Sequence, residues 1–206
     1  MSILSLMLQG GFLMYILLLI SIAVLGIVIE KYRQIALVRK ANRSVLETLQ
    51  NASQSKEMIA IAKEYHKTSP IARMLDKVVA NQNQDKDLLV QSLESAANYE
   101  LHLLERGMAW LSTFAAIAPL IGFLGTVIGM VRVFMNIQHQ SSAGIDINIL
   151  AGGIWVALLT TIGGLVVGII TIVFYNDIVQ KLESILHDMQ DAATTYMIKH
   201  YKSNEA

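Results

Sequence analysis

The 206-residue chain contains no cysteine, which excludes disulfide frameworks, thiolate metal sites and cysteine nucleophiles together. Proline is reduced to Pro70 and Pro119. Charge is scarce: Asp, Glu, Lys and Arg make up 16% of residues, against about a quarter in ordinary soluble domains. Sixteen basic residues balance sixteen acidic ones, so no basic surface for nucleic acid is encoded. There is no G-x-x-x-x-G-K-[ST] phosphate loop, and GFLGTVIG has the wrong glycine spacing for a dinucleotide loop. His66, His102, His139, His187 and His200 are scattered, with no H-x-x-x-H pair, and no nucleophile elbow occurs. Neither an enzyme nor a resident metal or cofactor is expected.

What the chain has instead is long uncharged runs. Mean hydropathy is +0.50 and 54% of residues are hydrophobic, so the expected class is an all-α membrane protein. Residues 1–29 carry no charge, and Phe12–Ile29 is long enough to span a hydrocarbon core. A cleaved signal peptide would begin with basic residues; here the first is Lys31, after the run, so a retained helix is expected. Lys31, Arg33, Arg39, Lys40 and Arg43 then place the following segment in the cytoplasm and the N-terminus outside. Residues 107–132 form a second span, uncharged up to Arg132, and 149–176 a third, separated by a polar connector at 133–148. The C-terminus therefore ends inside.

Residues 30–106 are of different material. They hold twelve of the sixteen basic and ten of the sixteen acidic residues, with no glycine, which describes a cytoplasmic helical loop. Thr68-Ser69-Pro70 reads as a break between helices and Asn81–Asp87 as a second. Leu88, Leu89, Leu93, Ala96, Ala97, Leu101 and Leu104 make one apolar stripe, on a helix expected to run straight into the second span. Residues 177–206 are an amphipathic tail with Leu182, Ile185, Leu186 and Met189 on one side.

No charged side chain lies within Phe12–Ile29, Gly107–Val131 or Ile149–Asn176, so this chain cannot by itself supply a carboxylate that takes up and releases protons there. It has hydroxyls instead, among them Thr126, Thr160 and Thr161. At 1.5 Å per residue Thr126 lies about 9 Å and Thr161 about 20 Å below the outer interface, Thr161 level with Pro119. Such groups orient water along a polar path, or merely bond back to their own helix carbonyls; spacing leaves both open. Gly122, Gly125 and Gly129, with Gly164 and Gly168, permit close helix approach. Pro119 removes a hydrogen bond to Ala115 and predicts a kink.

Ile117–Met130 (IAPLIGFLGTVIGM) resembles the signature of the MotA/TolQ/ExbB proton channel family, and Gly153–Leu165 (GIWVALLTTIGGL) with Tyr175-Asn176 resembles its third-span motif. Length and the YN ending are more similar to ExbB or TolQ than to the four-span MotA. The resemblance implies a homopentamer in the bacterial inner membrane, enclosing an ExbD-like single-span partner that carries the titrating Asp. It further implies pore-lining roles for Thr126 and Thr161, with Thr160 beside them, and a TonB-like protein carrying work to the outer membrane. Many relatives have Glu where Val156 stands, which leaves cation-driven work better founded than proton flow. A TolQ-like role in envelope maintenance, a non-conducting scaffold and a solute carrier are the competing readings; a carrier predicts a broken-helix repeat pair that the sequence lacks.

Overall fold

The computed structural model describes residues 11–51, 55–79, 86–139 and 147–204. These form six helices: α1 Gly11–Asn51, α2 Ser55–Glu64, α3 Pro70–Val79, α4 Lys86–Glu105, α5 Met108–His139 and α6 Ile147–Asn204. Among the described residues no strand occurs. Three of the helices, α1, α5 and α6, are long and apolar enough to cross a membrane. The chain divides into two compact units, one of residues 1–29 with 107–176 and one of 30–106 with 177–206.

In the first unit α5 and α6 run antiparallel, and glycines set how closely they meet. From one end of the seam to the other, Pro119 lies against Gly168, Gly122 against Thr160, Thr161 and Gly164, Gly125 against Thr160, and Gly129 against Ala157. Met14 and Leu17 of α1 pack on Ala118, with Ile121, Leu159 and Val167 around them. Pro119 is accommodated inside a single helix that continues on both sides of it. The same helix extends past Arg132 to His139, so the first residues of the expected connector are helical; 140–146 lie outside the described residues.

The second unit buries the stripes that periodicity marks out. Leu89, Leu93, Ala96, Ala97 and Leu104 of α4 are buried, as are Leu182, Ile185 and Met189 of α6. Leu88 does not follow the stripe and is 51% exposed, while Glu100 occupies a buried position on it. The expectation that α4 continues into the second span is corrected: α4 ends at Glu105, α5 begins at Met108, and Gly107 between them has φ +92. Only glycine takes that conformation cheaply, so the helix stops there. The break expected at Asn81–Asp87 falls largely outside the described residues; Lys86 and Asp87 already belong to α4.

The Pro70 break is local chemistry. Pro70 opens α3, and Ser69 caps it: Ser69 Oγ accepts from Ala72 N at 3.4 Å and Ser69 O accepts from Arg73 N at 3.1 Å. The same hydroxyl donates to Asn42 Oδ1 at 2.7 Å, and both residues are buried. Ser69→Ala removes a cap and a buried hydrogen bond together. It is expected to cost about 1–2 kcal/mol, read as earlier denaturant unfolding of the α3 region. A variant as stable as the parent would refute the capping account.

Candidate ion path and helix braces

The three threonines of the spans are held differently. Thr126 Oγ1 donates to Phe123 O at 2.6 Å and Thr160 Oγ1 to Ala157 O at 2.7 Å, each on its own helix. Thr161 Oγ1 instead crosses from α6 to α5 and donates to Gly122 O at 3.0 Å. The back-bonding reading thus describes Thr126 and Thr160, whereas Thr161 ties two helices. Thr160 is only 2% exposed and its oxygen sits where a Gly125 Cβ would be, 2.2 Å away. Thr126 and Thr161 are both half-buried. Thr161 is level with Gly122, and Pro119 is level with Gly168 further along the seam, so the depth estimate that paired Thr161 with Pro119 is off by about one to two helical turns.

The crossing bond forms because glycine leaves room for it. Beta carbons at Gly122 and Gly164 would come 3.0 Å from Thr160 O and 2.6 Å from Ala118 O, so the two backbones are nearly in contact. At that distance a short hydroxyl on α6 reaches a carbonyl on α5. Val156 is half-buried, with its methyl 4.0 Å from a Gly11 Cβ position. Its surface is apolar and offers no proton relay. Among the described residues no group of His, Asp or Glu is placed to hold a metal ion.

Polar braces in the second unit escape a reading of the sequence. Lys31 is 4% exposed and donates to Leu104 O at 2.8 Å and Gln34 Oε1 at 3.0 Å. Burial pushes its ammonium below the ordinary lysine range, opposed by Glu30 and helped by Arg106. Tyr32, the next residue, donates its hydroxyl to Asp177, which Lys181 also meets. Those two donors, Lys181 first, hold the Asp177 carboxyl below its ordinary value, and the Tyr32 phenol is pushed up to about 12 by its bond to Asp177. Glu100, 1% exposed, accepts from Arg73 Nε at 2.7 Å and has Lys77 at 3.6 Å. Lys31 is hidden in a run of basic residues, and Glu100 in an apolar stripe; the one signal in the sequence is a charge at a helical position otherwise apolar.

Three helices long and apolar enough to cross a membrane, with a glycine-packed antiparallel seam between two of them, describe a multi-pass membrane protein. A comparison with protein families gives the class its name. The chain belongs to the MotA/TolQ/ExbB proton channel family, whose model matches residues 66–191. It is 33% identical to the ExbB-like protein 3 of Synechocystis sp., described as a biopolymer transport protein, over 81% of this chain and 80% of that one. Identity to the ExbB-like protein 1 of the same organism is 29%, over 84% of this chain and 68% of the relative. It is also 33% identical to the biopolymer transport protein ExbB of Xanthomonas campestris, but there the match covers 51% of this chain and 44% of the other.

Proposed function

We propose that this chain is the ExbB-like subunit of an inner-membrane channel that converts the proton-motive force into mechanical work for TonB-dependent transport across the outer membrane. The observation that carries this reading is the α5–α6 seam, closed by glycines and by the Thr161–Gly122 hydrogen bond, in a membrane interior without a single charged side chain. A wall so built guides a charge without binding it, so the titrating carboxylate belongs to another chain: a single-span, ExbD-like partner. Five subunits around a pair of such helices supply the enclosure that one chain lacks. Thr126 and Thr161 face the path, and Thr160 supports them from behind, wedged against Gly125. The basic residues that follow the first span set the N-terminus in the periplasm and the C-terminus in the cytoplasm.

Co-expression with the partner and measurement of ion flux in vesicles tests this. Thr161→Val is expected to lower flux at least about tenfold, in keeping with the loss of the half-buried hydrogen bond to Gly122 O, and Thr161→Ser to retain most of it. Thr126→Val should reduce flux less. Flux and TonB-dependent uptake at parental levels in both valine variants, with assembly intact, would remove the threonines from the path.

A further inference from the structure

Two consecutive residues of α1, Lys31 and Tyr32, reach two different helices of the second unit. Successive side chains leave a helix about 100° apart, so the pair points in two directions from one turn. Lys31 goes to the Leu104 carbonyl in the last turn of α4. Tyr32 goes to the Asp177 carboxylate of α6. Both lie just after the first uncharged run, and Asp177 lies directly after the third.

Each bond answers a need of its partner helix. Leu104 O lies in the last turn of α4, where carbonyls run out of intrahelical donors, and the chain leaves helical geometry at Gly107, φ +92. Beyond the break the chain re-forms with a short bond from Trp110 N to Gly107 O at 3.2 Å. The Lys31 ammonium donates to that carbonyl, and a cation at a helix C-terminus also complements the helix dipole. Among the described residues no carboxylate lies within ion-pair distance of it. A buried charge is costly unless it is hydrogen-bonded; of its two bonds the one to Leu104 O reaches another helix and ties α1 to the end of α4. On the other side Asp177 takes donors from Tyr32 and from Lys181 one turn along, so α6 is held by its own helix and by α1 together.

We propose that Lys31 and Tyr32 are positioning residues: a two-armed bracket on α1 that fixes the end of α4 through one arm and the start of the α6 tail through the other. The last turn of α4, up to Gly107, is then braced by α1. This assignment rests on the channel reading for its purpose, and on the hydrogen bonds alone for its existence.

Hydrogen exchange on the full chain in detergent, peptide by peptide, separates the two. Lys31→Met keeps the apolar stem and removes the donors; Tyr32→Phe removes one hydroxyl. Lys31→Met is expected to raise exchange about tenfold in the peptide covering residues 104–111, leaving 175–182 unchanged. Tyr32→Phe is expected to do the reverse. Gln34→Leu, which leaves the Leu104 bond in place, should move 104–111 far less than Lys31→Met does. Unchanged exchange at both peptides, or an equal rise throughout α1, α4 and α6 in either variant, would overturn the bracket. Ion flux is measured in parallel: local loosening without any change in flux keeps the bracket and counts against its purpose in the channel.

Discussion

Replacing Gly164 with valine is expected to cost about 3 kcal/mol, the upper end of what overpacking a tight interior does. The atoms that a first added carbon meets are Ala118 O at 2.6 Å, Gly122 Cα at 2.8 Å and Gly122 N at 2.9 Å, all of them backbone. No side-chain tip can swing aside, so α5 and α6 must move apart, and the Thr161–Gly122 hydrogen bond in the same turn is lost with them. Gly164→Ala should show a milder loss, about 1–2 kcal/mol. Gly26 is the control, because a carbon added there has nothing within 4 Å. Gly26→Ala should change stability by less than about 0.5 kcal/mol. Unfolding by heat or denaturant in detergent, followed by circular dichroism, measures all three. Equal effects at Gly164 and Gly26 would mean that the seam is not closed by backbone contact.

Removing the guanidinium from the second unit is the other large effect. In Arg73→Met, Glu100 keeps its burial at 1% exposure but loses its partner at 2.7 Å, with Lys77 remaining at 3.6 Å. A buried carboxylate deprived of its closest cation is expected to cost about 3 kcal/mol. Glu100→Leu alone should cost less, since it removes the charge that needs compensation. The double variant Arg73→Met with Glu100→Leu is expected to be more stable than Arg73→Met by itself. Glu100 shares its helix with the buried Leu93, Ala96, Ala97 and Leu104, so a leucine there completes an apolar stripe. Denaturant unfolding of the four species in a double-mutant cycle reads the coupling directly. Additive costs would show that the two side chains are near each other without interacting.

Much of this molecule is legible in its amino-acid order. Uncharged runs mark the three membrane-crossing helices, because a bilayer screens its residues one at a time and length without charge is a property of the chain alone. Pro70 marks the start of α3 through its own covalent ring and the serine before it. The tail stripe of Leu182, Ile185 and Met189 follows from helical spacing. The glycine pairs announce close packing, and the two span motifs, in their order, lead to the right family.

Other features depend on neighbours that sequence does not name. Thr126, Thr160 and Thr161 are chemically alike, yet only Thr161 donates to another helix, because the rotation of α6 and its register against Gly122 aim that one hydroxyl across the seam. The joint at Gly107 escapes the sequence because a glycine at the edge of an apolar run reads equally as the first residue of a span. Among five clustered basic residues only Lys31 is buried, a choice made by where α4 ends. Hydropathy, breaks and helical periodicity belong to the chain in one dimension, and the sequence by itself determined them. Which polar group meets which carbonyl depends on helix rotation, register and approach, and these were decided only when the helices packed.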